Sequence, residues 1–337
     1  MKPTGSDPLP AAEILDPDIR RFVAEVSAAF ARFPPLDQLS PAEARRVAEL
    51  VREPWRQGGP TMWVVTEHLI PVTGGQLRIR VYDPGPDGAK PALLYLHGGG
   101  WTIFSLDTHD RVMREYAARA RIAVIGVDYP LSPEAKFPTA LEQLVDLVRR
   151  LETLGGELGI DPGRLAIGGD SAGANLAVAA CLSLRDAGEQ HRLRGMLLNY
   201  GAFDATCSDE AVRRYGGEGF PLSREEMALY WNNYVRSPGD VENPLVCPLR
   251  ARLEGLPPAF LTIPECDVLT EQSLRMAERL REAGVTVRAE VYAGATHSFL
   301  EAVSISALAD RALEDGSRWL REILAAPAAG TAAVAEK

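Results

Sequence analysis

Short apolar runs rich in β-branched residues alternate with helix-patterned segments along most of this chain. That alternation restricts the fold more than any other feature. "MWVVTEHLIP" and "QLRIRVYDP" read as two strands joined by a turn at Gly74 and Gly75. After them come "ALLYLH", "IAVIGVDY", "RLAIGGD", "GMLLNYG", "AFLTIPE" and "VTVRAEVYAG". Helical periodicity fills most of the gaps, in "DTHDRVMREYAARAR", "PTALEQLVDLVRRLETLG", "AGANLAVAACLSLRDAG" and "LTEQSLRMAERLREAG", and a last helix covers "ISALADRALEDGSRWLREIL". Continuous apolar strands separated by helices fit a mostly parallel sheet covered on both faces. The expected fold is α/β, with a central eight-stranded sheet flanked by helices.

Two stretches stand outside the alternation. Residues 1–55 are helical in pattern, with a Ser-Pro-x-Glu start signal in "SPAEARRVAELVREPW". Residues 202–250 contain no strand, only loop and the helix "SREEMALYWNNYV", and read as an insertion above the sheet. The core is thus expected in two parts, 56–201 and 251–324, followed by an alanine-rich, uncapped tail at 325–337 that is expected to be disordered.

Composition narrows the function classes. Of the 337 residues, 46% are hydrophobic and 24% charged, which suits a globular protein with a sizeable core. A formal net charge of −10 with scattered basic residues argues against nucleic acid as a partner. No apolar stretch reaches the ~18–20 residues of a membrane span. The opening "MKPTGSDPLP" has no apolar segment of the signal-peptide kind. Cys181, Cys207, Cys247 and Cys266 lack CxxC or metal-ligand spacing. Reduced thiols, a cytoplasmic location and no metal are therefore expected.

The chemistry is carried by "RLAIGGDSAGANLAVAA", where Gly169-Asp170-Ser171-Ala172-Gly173 joins a strand to a helix. A G-x-S-x-G sequence at such a junction puts a serine on a tight turn whose neighbours must be small. The helix start behind it supplies free N–H groups and a partial positive charge. A nucleophilic serine needs a base. Where a G-x-S-x-G serine stands at a strand-to-helix elbow of this kind, its partners follow in the order acid, then histidine, so only His191 and His297 qualify. His191 lies in the polar stretch "AGEQHRLRG" and reads as a solvated loop residue. His297 follows the last strand and is the expected base. The acid is expected at Asp267, at the end of "AFLTIPECDVL", with Glu265 and Asp204 as competitors on the same or the preceding strand tip.

The oxyanion of acyl transfer requires preorganised donors. "YLHGGGW" places three glycines directly after a buried strand, upstream of the serine. Side chains there would keep backbone and substrate apart. Gly98 and Gly99, with the N–H of Ala172, are the expected donors, and His97 is expected to organise the loop. Tyr230, Trp231 and Tyr234, at helical spacing, either wall a substrate pocket or pack the insertion.

Together these residues resemble the hormone-sensitive-lipase-like branch of the α/β-hydrolases, with its HGGG loop and GDSAG elbow. "DYPLSPEAKFPTALEQ" is similar to that branch's segment after the fourth strand. "LDTHDRVMREYA", "VRRYGG" and "AGATHSFL" resemble the bacterial acetyl esterases, and the likeness spans about residues 62–324. It implies an α/β-hydrolase fold with a helical cap built from the N-terminal helices and the 202–250 insertion. It also implies a serine esterase for short acyl chains, acetyl to butyryl, working without cofactor or metal. By that resemblance the catalytic residues are Ser171, Asp267 and His297, and the oxyanion donors Gly98, Gly99 and Ala172. Two positions depart from the pattern: Trp101 stands where Phe or Tyr is commoner, and Val268 where Pro is common. Trp101 is expected to narrow the pocket. An amidase or carbamate-cleaving enzyme with the same residues is the alternative. A ligand-binding or regulatory protein on the same scaffold is the reading from another class. The expected partner is a small-molecule ester, with no nucleic acid or membrane; the one protein partner allowed for is a second copy, as a homodimer.

Overall fold

A computed structural model of the chain describes residues 11–325; the beginning of the N-terminal segment and nearly all of the tail expected at 325–337 lie outside them. Eight strands form one sheet: β1 (Val64–Val72), β2 (Gly75–Asp83), β3 (Lys90–Leu96), β4 (Ala123–Asp128), β5 (Ile160–Asp170), β6 (Met196–Asn199), β7 (Ala259–Pro264) and β8 (Val287–Tyr292). Their spatial order is β1-β2-β4-β3-β5-β6-β7-β8. β1 and β2 form a hairpin, β2 pairs antiparallel with β4, and every pairing from β4 to β8 is parallel.

The apolar runs behave as the sequence implies. β7 is buried along its whole length and β4 up to its last residue, whereas the edge strand β1 is mostly exposed or half-buried. Side-chain alternation divides the core into two layers. Ala92, Leu94 and Leu96 of β3 join one, while Leu93 and Tyr95 join the other.

Among the described residues, ten helices surround the sheet: α1 (Ala11–Ile14), α2 (Pro17–Phe30), α3 (Pro41–Arg52), α4 (Asp110–Ala120), α5 (Thr139–Leu154), α6 (Ala172–Asp186), α7 (Asp209–Tyr215), α8 (Arg224–Tyr234), α9 (Thr270–Glu282) and α10 (Ala307–Ala325). Helices α5, α6 and α9 supply the first layer; α2, α3, α4 and α10 supply the second. Helix starts follow local chemistry. Ser40 and Glu43 form a reciprocal capping box at α3, as Ser223 and Glu226 do at α8. Asp16 accepts from the N–H groups of Asp18 and Ile19 at the start of α2.

Two elements differ from expectation. The 202–250 stretch holds a second helix, α7, capped by Ser208; seven residues are too few to show periodicity in sequence. Strand β5 starts at Ile160, ahead of the apolar run, and Pro162 and Gly163 sit where its register with β3 shifts.

Strand β5 lies centrally, and α6 leaves its end so closely that there is no room for side chains. A Cβ on Gly173 would lie 1.9 Å from the Leu96 carbonyl oxygen, and one on Gly169 2.2 Å from the same atom. Both obstacles are backbone and cannot rotate away. Gly173→Ala is therefore expected to destabilise the fold by about 3 kcal/mol or more. Urea denaturation measures this, and a midpoint equal to wild type would show that the helix has room to shift.

Candidate active site

Ser171 sits between β5 and α6 with φ +53° and ψ −116°, a conformation that a non-glycine residue adopts only when its surroundings impose it. Its N–H donates to the Asn199 carbonyl at 2.9 Å, and its own carbonyl accepts from Ala202 at 3.2 Å. The side chain is thereby held above the carboxyl ends of the parallel strands, where open α/β sheets place their ligand sites.

Two loops reach it. His297 follows β8, and its Nε2 lies 3.0 Å from Ser171 Oγ. Asp267 follows β7, and its Oδ2 lies 2.7 Å from His297 Nδ1. The other carboxylate oxygen, Oδ1, accepts from the Leu269 N–H at 3.1 Å. All three side chains are buried. Burial disfavours the His297 cation, but the attraction of and hydrogen bond to Asp267 outweigh it, so the imidazole pKa lies above its ordinary value. The competing acids are engaged elsewhere. Glu265 accepts from the Gly294 N–H, and Asp204 from Thr206. His191 is exposed, in a single turn at Gln190–Arg192.

The glycine loop arrives from β3. Gly99 and Gly100 have φ of +99° and +58°, and both line the cavity that holds Ser171 and His297. A Cβ on Gly99 would meet the Ile103 carbonyl oxygen at 2.3 Å, and one on Gly100 the Tyr230 ring at 2.2 Å. Among the described residues, no acceptor pairs with the N–H of Gly99, Gly100 or Ala172. Gly98 does not line the cavity, contrary to its expected role. It packs against Asp170, whose Oδ2 would stand 2.4 Å from a Cβ there. The glycine pair facing the cavity is shifted one residue along the chain.

The cavity has a volume of about 550 Å³. Trp101, Tyr230 and Trp231 form part of its wall, together with residues of α2 and α3. Tyr234 does not line it. Its ring stacks flat on Trp101 from behind, at 4.1 Å between centroids and 6° between planes. The aromatic triplet thus divides: α8 turns Tyr230 and Trp231 to the cavity and Tyr234 into the core.

Sequence reasoning missed the support beneath the loop. Asp170 is buried and accepts from the Tyr95 hydroxyl at 2.9 Å, with His109 Nε2 at 3.3 Å from its second oxygen. His97 directs Nδ1 to the Gly98 carbonyl at 2.7 Å and stacks on Tyr129. Among the described residues, no His, Cys, Asp and Glu cluster is placed to hold a metal ion, and no helix is long and apolar enough to cross a membrane.

Comparison with known proteins adds the family context. A family model described as alpha/beta hydrolase fold matches residues 93–301. The structure is similar to a hyperthermophilic esterase from the archaeon Pyrobaculum calidifontis, at 30% identity and a TM-score of 0.86, over 93% of this chain and 100% of that one. It is also similar to EstE1, a thermostable carboxylesterase cloned from a metagenomic library, at 32% identity and 0.82, over 86% and 99%. A thermostable esterase from Pseudomonas putida shares 29% identity at a TM-score of 0.87, over 95% and 99%.

The imidazole environment is testable directly. His297 is expected to titrate above 6.5 in the folded protein, being neutral only above that midpoint. Asp267→Asn removes the largest attraction and leaves the desolvation, opposed only by the more distant Asp170 and Glu301, so the midpoint should fall. Nitrogen NMR of the ring reads both values; an unchanged midpoint in the variant would separate Asp267 from the titration.

Proposed function

The chain belongs to the alpha/beta hydrolases, in the hormone-sensitive-lipase-like branch, and from that premise we propose that it is a serine carboxylesterase acting on esters with short acyl chains. The observation that carries this reading is the continuous hydrogen-bonded line from Ser171 Oγ through His297 to Asp267, opening onto a cavity edged by unpaired backbone donors.

His297 accepts the Ser171 proton as Oγ attacks the ester carbonyl. Asp267 orients the ring and stabilises the imidazolium that forms. The N–H groups of Gly99, Gly100 and Ala172 receive the developing oxyanion. Collapse expels the alcohol, which takes the proton from His297. Water then attacks the acyl-enzyme by the same steps in reverse, releasing the acid and restoring Ser171. Helices α2, α3 and α8 act as a cap that narrows access from above, with Trp101, Tyr230 and Trp231 bounding the substrate. The four free cysteines suit a reducing compartment, and the cytoplasm is the proposed location.

Ser171→Ala should retain the fold and lose activity by ~10³-fold or more. Asp267→Asn should be far more damaging than Glu265→Gln or Asp204→Asn, because only Asp267 meets the imidazole. Steady-state kinetics of the four variants decide this; a crippling Glu265 or Asp204 substitution would move the acid elsewhere.

The substrate range is tested by kcat/KM over p-nitrophenyl esters from acetate to laurate, beside a matched anilide. Acetate to butyrate should lead, with laurate and the anilide far behind. A faster laurate would contradict the short-chain reading, and a faster anilide would favour an amidase.

A further inference from the structure

One charged side chain in the cavity wall has no part in the mechanism above. Arg52, the last residue of α3, lines the same cavity as Ser171 and His297, although its side chain is only 5% exposed. Its guanidinium lies between two rings, with Cζ 4.9 Å from the Phe104 centroid and 5.7 Å from that of Phe22. The buried Glu301, on the short turn at Phe299–Ser304 that follows His297, supplies the counter-charge, with Oε2 2.8 Å from Arg52 Nε.

The two charges touch, but they are not aligned as hydrogen-bonding partners. Arg52 Nε and Nη1 are buried without a hydrogen bond, and so are both carboxylate oxygens of Glu301. A buried donor left unmet costs about 1–3 kcal/mol, and folded proteins rarely tolerate it without a reason. Nε and Nη1 are closed off from the cavity; Nη2, which likewise has no hydrogen-bond partner among the described residues, is the donor left to face it, beside a charge that Glu301 compensates. Such a spot selects for a hydrogen-bond acceptor more than for an anion. The carboxylates of Asp37, Glu225 and Glu226 also line the cavity and further disfavour an anionic ligand.

Resting on the esterase reading, we propose that Arg52 is a specificity residue that receives a neutral oxygen acceptor of the substrate, so that the preferred ester carries a second carbonyl group. Glu301 tunes this site. Its Oε2, 2.8 Å from Nε, is the counter-charge beside the guanidinium; burial raises its carboxyl pKa and the Arg52 cation opposes that rise. The size of the cavity agrees, since about 550 Å³ leaves space beside an acetyl or butyryl group.

The test compares esters matched in shape. On the acyl side these are the p-nitrophenyl esters of pentanoate, 4-oxopentanoate and succinate. On the alcohol side they are butyl, 3-oxobutyl and 2-carboxyethyl acetate. In one of the two series the oxo member should exceed the alkyl member in kcat/KM by about tenfold in the wild type. Arg52→Met should bring that ratio to about one. Glu301→Gln keeps the shape and removes the counter-charge, so the carboxylate member should gain about tenfold on the alkyl member. An oxo-to-alkyl ratio that is the same in wild type and folded Arg52→Met, in both series, overturns the proposal. If Arg52→Met fails to fold, Glu301→Gln decides, and the absence of a shift toward the carboxylate overturns it. Should the wild type hydrolyse no member of either series, the esterase reading fails on its own. Calorimetry of methyl 4-oxopentanoate against methyl pentanoate on the Ser171→Ala variant then judges the acceptor site. About tenfold tighter binding of the oxo ester, lost on adding Arg52→Met, supports it; equal affinities refute it.

Discussion

The approach of helix α6 to the Leu96 carbonyl is the contact on which the rest of the site depends. Gly169 and Gly173 leave no atoms between the end of β5, the end of β3 and the first turn of the helix. The chain can make that passage only if the residue at the apex takes a positive φ, and Ser171 is that residue. The strain, of order 1–3 kcal/mol, is sustained by backbone bonds to Asn199 and Ala202 on the far side. The same proximity brings the β3 loop alongside the helix N-terminus, so unpaired N–H groups from two elements face one cavity. One steric fact thus fixes the nucleophile, the donors and their separation together.

The residue before the apex ties the elbow to the loop. Asp170 is buried beside Gly98 and is held by Tyr95 and His109 from two other elements. A carboxylate taken from water requires such partners. Burial raises its pKa, but the His109 charge and hydrogen bonds outweigh that and keep it lowered. The pair joins β5 to the segment before α4, and Gly98 of the glycine loop packs on Asp170, so a shift of the loop would disturb this buried contact.

Much of this was legible in sequence. All eight apolar runs are strands, and the central parallel ones, β3, β4, β6 and β7, are buried on both faces and so apolar almost throughout. Ser171, Asp267 and His297 could be picked out because each follows a strand whose end the fold brings to the same edge. What stayed hidden required contacts distant in the chain. Nothing in "HGGGW" tells which glycines face outward; Asp170, far along the sequence, occupies the place behind Gly98. Helical spacing groups Tyr230, Trp231 and Tyr234, but only the position of Trp101 decides that Tyr234 is covered. Arg52 and Glu301 carry no motif at all, and α7 is too short for a periodic signal.

Three buried histidines near the site have pKa values shifted in different directions, for reasons visible in their partners. His97 meets a carbonyl and another imidazole, and burial drives its pKa down to about 3, so it is neutral. His109 and His297 are equally buried, but each faces a carboxylate that reverses the effect of burial and raises the pKa. Beneath the glycine loop His109 is paired with Asp170, and neutral His97 adds no charge. The loop thus offers the oxyanion oriented N–H dipoles rather than a net cation. Dipoles already fixed by the fold need not reorganise as charge develops on the substrate. A ground-state ester, whose carbonyl oxygen bears little charge, gains less from them than the tetrahedral intermediate does. The difference between those two gains is what lowers the barrier.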